Sequence, residues 1–314
     1  MIILNSFSKI NLGLELVSKR EDGFHDIVTV FQLIDLHDRI RFKKTSGDIH
    51  LSSTDPDIPQ DRSNLAVQAF LLFKEKTGIT DGIDIHIEKT IPAGGGLGGG
   101  SSNAATTLIA ANYLWQKNLK KHQLQKMAVT LGADVSFFLE GGTALGTGKG
   151  DILEKIKLPA DYWVLLICPG IHISTQWVYE RAKITLTKQE KLTKFRSIFE
   201  NYDPHALHGS LVNELESVVF GRHPVLGSYK EQLYERDAFY AGMSGSGSTI
   251  YGLFSDKIRA EKARKFFSIE RGINTFLCRP ILSSLLEQGV HIASFVLQEQ
   301  ENFEGEKVNE DHRD

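Results

Sequence analysis

The chain has 314 residues, of which 41% are hydrophobic and 24% charged, with a formal net charge of −3. That balance fits a globular protein of one large or two ordinary domains, and it argues against a nucleic-acid binder held by phosphate contacts. Residues 299–314 hold seven acids and two bases, so the rest of the chain is close to neutral. No continuous apolar segment reaches membrane-spanning length, and the N-terminal residues alternate instead of forming a signal-peptide core. Cys168 and Cys278 each lie in an apolar run and read as core residues in a reducing compartment. The expectation is a cytoplasmic protein with neither nucleic acid nor membrane as partner.

Ile10, Leu12, Leu14 and Leu16 alternate with Lys9, Asn11, Gly13 and Glu15, which predicts a strand with one apolar face and places Lys9 beside Asn11 on the other. Glu21-Asp-Gly-Phe-His25 is a turn leading into a second strand over 27–36. Short antiparallel strands are expected over 38–44 and 49–52. A loop over 54–64 precedes a helix over 65–77, with Ser63 or Asn64 as its cap. Ile83, Ile85 and Ile87 alternate in a further strand, and Ala104, Leu108, Ala111 and Trp115 recur at helical spacing.

Between that strand and that helix lies Pro92-Ala-Gly-Gly-Gly-Leu-Gly-Gly-Gly-Ser-Ser-Asn-Ala104. Glycine lets successive N–H groups turn towards one point, and a helix N-terminus adds partial positive charge, so the stretch reads as a phosphate cradle. Ser101 or Ser102 is expected to cap the helix. Gly94, Gly96 and Gly99 satisfy G-x-G-x-x-G, but no acid follows at ribose-binding distance: residues 89–133 contain neither Asp nor Glu. No Lys-Ser or Lys-Thr follows Gly100, which removes the P-loop. A flexible linker is the plain alternative, and it fits poorly with an amphipathic helix starting at once. A nucleoside triphosphate is the better occupant.

A helix over 121–131 ends at Gly132, and Asp134 stands where another can begin. The glycine-dense run 141–150 reads as a tight antiparallel crossing. Pro159-Ala-Asp161 reads as a domain boundary, giving domains of 1–158 and 159–298 and a mobile acidic tail over 299–314. In the second domain a strand over 162–168 precedes a helix capped by Ser174 and carrying Trp177 and Tyr179. Helical patterns follow over 190–200, 207–220 and 224–236. A strand–glycine loop–strand unit then spans 238–254, with a helix over 257–267 and a strand over 274–280. The β–α–β–β–α–β order, with helical insertions, implies α+β architecture.

Phosphoryl transfer needs the triphosphate positioned, its charge neutralised and the acceptor hydroxyl deprotonated or aligned. Asp134 suits the proton-accepting role and Lys9 the steadying of a γ-phosphoryl group, although a helix cap and a solvated strand lysine are the plain readings of each. Phe24 and His25 can stack on and hydrogen-bond a ring, or simply form a turn. Gly245, Ser246 and Gly247 either close a hairpin or form a second wall of the phosphate site. His86, His172, His205 and His223 have no metal-ligand spacing.

Three stretches, Ser8-Lys-Ile-Asn-Leu12, residues 92–105 and residues 242–248, resemble the three motifs of the GHMP small-molecule kinases. Lys9 to Leu14, Arg20 to His25 and Leu131-Gly-Ala-Asp-Val135 are further similar to the branch acting on 4-diphosphocytidyl-2-C-methyl-D-erythritol in the non-mevalonate isoprenoid route. The resemblance covers about residues 5–280. It implies an N-terminal domain like the second domain of ribosomal protein S5, a ferredoxin-like C-terminal domain, ATP with Mg²⁺ over the glycine loop, and the acceptor in the cleft between domains. It also implies Asp134 as base, Lys9 as the catalytic lysine and Asn11 as its polar neighbour. His25 would bond a cytosine sandwiched by Phe24 and Tyr179, with Thr175 near the acceptor. Asn64 and Lys89 would lie around the adenosine, and Pro92, Gly94, Gly95, Gly96, Leu97, Gly98, Gly99, Gly100, Ser101 and Ser102 with Gly245, Ser246 and Gly247 would hold the phosphates. Phe24 replaces the usual tyrosine, and Ser136 replaces a usual proline, loosening the turn after Asp134. Mevalonate, homoserine or a sugar as acceptor, or a non-catalytic binding protein on the same fold, are the alternatives. A monomer or homodimer is expected.

Overall fold

In the computed structural model, residues 1–184, 188–200, 207 and 209–283 are described. The predicted acidic tail, the end of the second domain and His205 lie outside them. The N-terminal part contains β1 (Ile2–Lys19), β2 (His25–Thr45), β3 (Ile49–Ser53), α1 (Leu65–Thr77), β4 (Gly82–Glu88), α2 (Gly99–Leu114), α3 (Lys121–Leu131), α4 (Ala133–Glu140), β5 (Thr143–Thr147) and β6 (Ile152–Lys155). Its six-stranded sheet runs β3-β4-β2-β5-β6, with β1 antiparallel along β2. Two strand expectations change. Residues 38–44 do not form a separate strand but extend β2, whose alternating buried positions Asp38, Ile40 and Phe42 continue one pleat. β3 pairs parallel, not antiparallel, with β4, because α1 carries the chain across between them.

The second part contains β7 (Trp163–Cys168), α5 (Thr175–Tyr179), α6 (Lys188–Glu200), α7 (Glu216–Arg222), α8 (Pro224–Tyr234), β8 (Tyr240–Met243), β9 (Ile250–Phe254), α9 (Lys257–Phe267) and β10 (Asn274–Cys278). Its strands run β10-β7-β9-β8, all antiparallel, which is the ferredoxin-like order. The helix expected over 207–220 begins only at Glu216. Ahead of it, Asn213 bridges to Leu14 of β1, so that stretch is used as an extended tie and not as a helix.

The predicted apolar face of β1 is real: Ile10 and Leu12 pack with Leu166, Tyr240 and Tyr251 of the second sheet, and Leu14 and Leu16 with its neighbours. The Tyr240 and Tyr251 hydroxyls donate to the carbonyls of Leu12 and Asn11 at 2.9 and 2.8 Å. Such bonds are worth about 1 kcal/mol each, and more is lost when a buried partner is left unpaired. The other face is also buried, with Lys9 only 3% and Asn11 2% exposed. β1, which pairs with β2 alone among the strands, is therefore buried on both faces, and Lys9 is not the solvated residue that alternation alone suggests. Helices α1, α2, α3 and α4 cover the opposite face of the first sheet through Phe70, Phe73, Leu108, Leu124 and Phe137.

Candidate active site

The glycine loop joins β4 to α2 across a cleft of about 650 Å³. Its serines do not cap the helix. The N-cap is Gly98, at φ 72°, and no side chain bonds the first turn. Ser102 lies inside α2, fully buried, where its hydroxyl accepts from Ser6 at 2.8 Å. Residue 98 must turn left-handed, and a Cβ there would come within 2.7 Å of the Phe138 ring and 3.2 Å of Lys9 Cε. With no capping side chain and no acid in its first turn, the N-terminus of α2 is left to an incoming anion.

The second glycine loop is both hairpin and wall. Residues 244–249 connect β8 to β9, and Ser244 Oγ donates to the Gly96 carbonyl at 2.8 Å while accepting from the Asn11 N–H at 3.3 Å. Asn213 Nδ2 holds the same loop through the Met243 and Gly245 carbonyls. The two loops thus meet over Lys9 and Asn11, which explains why both are buried.

Lys9 Nζ lies 3.3 Å from Asp134 Oδ2, donates to Asn11 Oδ1 at 2.6 Å, and sits 5.4 Å from the Phe31 ring centroid. Asn11 is held in turn by Thr29, which accepts from its amide at 2.8 Å. Asp134 is in the first turn of α4 and is not its cap, which is Gly132. Its side chain is 34% exposed and opens on the cleft. The Ser136 hydroxyl donates to the Ala133 carbonyl at 2.9 Å and so braces the turn that loss of a proline was expected to loosen.

Of the residues singled out from the sequence, Lys9, Asn11, Asn64, Lys89, Asp134, Thr175 and Tyr179 line this cleft, as do Pro92, Gly94 to Gly100, Ser101 and Gly245 to Gly247. Ser102 does not. Asn64 caps α1 by accepting from the Ala66 N–H at 2.9 Å. The Lys89 ammonium lies 2.9 Å from Asp38 and 3.3 Å from where a Cβ on Gly99 would be.

Phe24 and His25 line a second hollow of about 620 Å³ that shares Ile27, Lys149, Thr175 and Tyr179 with the first, so the two are continuous. The His25 and Tyr179 rings are 5.5 Å apart and tilted, and Phe24 is 59% exposed with the Lys149 ammonium 4.9 Å from its ring centroid. Burial, with the Lys19 charge as a smaller contribution, holds His25 below its ordinary pKa. A neutral imidazole offers one donor and one acceptor, as a nucleobase edge requires. Burial and the negative charge of Asp134 push the Tyr179 phenol up, keeping it protonated.

Two lining residues with ionisable side chains gain a place that the sequence reading does not give them, since it passes over Lys149 and reads His172 only as an ordinary histidine. Lys149 sits at the tip between β5 and β6, and His172 in the loop before α5. His172 Nδ1 lies 3.4 Å from where a Cβ on Gly94 would be. Neither belongs to a motif, and only the folded chain brings them to the rim. Among the residues lining the first hollow Asp134 is the one carboxylate, Asp22 and Glu180 lining the second, and the described residues include no cluster of three metal-ligating side chains. No helix among the described residues is long and apolar enough to cross a membrane.

Comparisons with known proteins identify the fold and the family. Sequence profiles described as the GHMP kinases N terminal domain and the GHMP kinases C terminal region match residues 64–142 and 203–273. A 4-diphosphocytidyl-2-C-methyl-D-erythritol kinase of Chlorobium phaeobacteroides is 40% identical over 269 residues, covering 85% of this chain and 93% of that protein. One from Bacillus cereus is 39% identical over 253 residues, covering 80% and 88%. A crystal structure of 4-(cytidine 5'-diphospho)-2C-methyl-D-erythritol kinase superposes with a TM-score of 0.75 at 31% identity, covering 89% of this chain and 99% of that one. Homoserine kinase from Cytophaga hutchinsonii, at 19% identity and a TM-score of 0.68 over 88% and 94% of the two chains, shares the fold. The chain belongs to the 4-diphosphocytidyl-2-C-methyl-D-erythritol kinase family of the GHMP kinases.

Proposed function

We propose that this protein transfers the γ-phosphoryl group of ATP to the 2-hydroxyl of 4-diphosphocytidyl-2-C-methyl-D-erythritol, in the non-mevalonate route to isoprenoid precursors, yielding ADP and the 2-phosphate. The observation that carries the reading is the Lys9–Asp134 pair, 3.3 Å apart, on the floor of a cleft whose wall is the glycine loop. In this scheme the N–H groups of the loop and of the α2 N-terminus receive the phosphates, with no side chain competing for them. Asp134 accepts the proton of the acceptor hydroxyl, and Lys9, oriented by Asn11, neutralises charge growing on the transferred group. The hollow lined by Phe24, His25 and Tyr179 takes the cytosine, for which two aromatic faces and a neutral imidazole are suited and which mevalonate or homoserine would leave idle.

The donor set fits a Mg²⁺ ion carried mainly by the nucleotide and water, with Asp134 as the carboxylate of the cleft and the Ser101, Thr175 and Ser246 hydroxyls among the lining oxygens that would hold it. Such an ion supplies charge neutralisation across the phosphates. Incubating the purified protein with Mg-ATP and the cytidine-linked acceptor should release ADP at a rate that CDP suppresses competitively. ADP formation at the no-acceptor background would reject the reading.

A further inference from the structure

Asp38 of β2 is completely buried, and nothing in the proposed chemistry uses it. Its Oδ1 accepts from the Thr90 and Ile91 N–H groups, both at 2.8 Å, and its Oδ2 accepts from Asn103 Nδ2 at 3.0 Å and from Lys89 Nζ at 2.9 Å. Thr90 and Ile91 immediately precede the glycine loop, and Asn103 lies in the helix that follows it. One carboxylate therefore fastens both ends of the loop. Lys89 adds a bond to the Ile91 carbonyl, and Asn103 also donates to Ser6 Oγ at 2.9 Å. A buried charge is tolerated only when it is paired and its lone pairs are filled, and here both oxygens are.

Between those anchors the loop is held at its middle, where the Gly95 and Leu97 carbonyls accept from the Thr249 and Lys9 N–H groups at 3.2 and 3.0 Å and the Gly96 carbonyl from Ser244 Oγ at 2.8 Å, whereas Asp38 bonds both of its ends. The separation of its two ends decides where its N–H groups converge. We infer that Asp38 is a positioning residue for the nucleotide, setting the aperture of the glycine loop, and that Lys89 serves as the counter-ion of Asp38 instead of as a ligand of the nucleotide. This rests on the ATP reading above. The acceptor hollow, lined by Phe24, His25 and Tyr179, is outside the reach of the network.

The test compares wild-type protein with Asp38→Ala, Asp38→Asn and Lys89→Met, measuring ATP dissociation constant by calorimetry, KM for the acceptor, and Tm. Asp38→Ala should weaken ATP at least tenfold with acceptor KM within twofold. Asp38→Asn keeps an oxygen for the Thr90 and Ile91 N–H groups and should recover most of that loss. Lys89→Met should weaken ATP less than Asp38→Ala does. Wild-type ATP affinity in Asp38→Ala alongside a lowered Tm would reduce Asp38 to a structural residue, and a larger loss in Lys89→Met would restore Lys89 as a nucleotide ligand; either overturns the inference. Absence of ATP binding by wild-type protein would instead remove the ATP reading itself, and the inference with it. If Asp38→Ala does not fold, Asn103→Ala, which frees the helix end of the loop from Asp38 and Ser6, decides against Ser6→Ala, which removes the Ser6 bonds alone: ATP binding weakened in Asn103→Ala and kept in Ser6→Ala supports the inference, and any other pattern overturns it.

Discussion

Replacing Gly96 by alanine separates the two costs that a glycine-rich loop can carry. Gly96 has φ 78°, and its Cβ would lie 2.1 Å from the Ser244 carbonyl oxygen, a backbone atom. The left-handed conformation alone costs an L-residue roughly 1–2 kcal/mol. Relieving the contact requires the two glycine loops to part by nearly 1 Å, and a displacement of that size can cost on the order of 10²-fold in rate. Gly78 is the control. It ends α1 at φ 69° with nothing within 4 Å of its Cβ, and it lines neither hollow. Gly78→Ala should lower Tm by about 2–4 °C and leave kcat/KM unchanged. Gly96→Ala should lower Tm by more than Gly78→Ala does, because the contact with a backbone atom adds to the same conformational cost, and should cut kcat/KM by about 10²-fold or more in the coupled ADP-release assay. Equal kcat/KM in the two variants would refute the view that the second loop is pressed against the first as a working wall.

Three further outcomes follow from the same geometry. Asp134→Asn should reduce kcat by about 10²–10⁴-fold while ATP affinity, measured by calorimetry, changes only a few-fold; an Asn variant with normal turnover removes the proton-accepting role. Phe24→Ala should raise acceptor KM by the roughly 1–3 kcal/mol of a lost base stack and leave KM for ATP alone, and Phe24→Tyr should be silent. Because His25 is held below its ordinary value of 6.5, mainly by burial and further by Lys19, the folded protein binds a proton there less readily than the unfolded chain. Acceptor KM should therefore stay flat as pH falls to 6.5 and rise only below it, and stability should decline over the same acid range. Lys19→Ala, by removing a lowering charge, should move the acid limb towards higher pH; a shift the other way contradicts the assignment.

Much of the site was readable because its parts are local. The strand, the glycine loop and the helix behind it are consecutive, and period-two alternation correctly set Lys9 and Asn11 on one face of β1. Residues brought in from far along the chain were not readable. Ser244 reaches Asn11 across more than two hundred positions, and Asp38 meets Ile91 across more than fifty. No periodicity marks either contact. The failed serine cap has a different cause: propensity favours Ser101 or Ser102 at the start of a helix, but the left-handed Gly98 is the cap and α2 begins at Gly99, ahead of both serines and inside the glycine run. Likewise the stretch before Glu216 carries a helical pattern, yet Asn213 is drawn into a bridge with β1, and tertiary pairing outweighs the local preference.

The tyrosine hydroxyls that reach across to the carbonyls of Leu12 and Asn11 have a consequence for dissecting the molecule. A fragment ending after β6 would still own Lys9, Asp134 and every residue of the phosphate loop. It would nevertheless expose the apolar underside of β1 and strand two main-chain oxygens, and it would strip the lid from Asn11 and Gly96. The inventory of reactive groups lies in one half, but their shape is lent by the other, so neither piece is expected to work when cut loose.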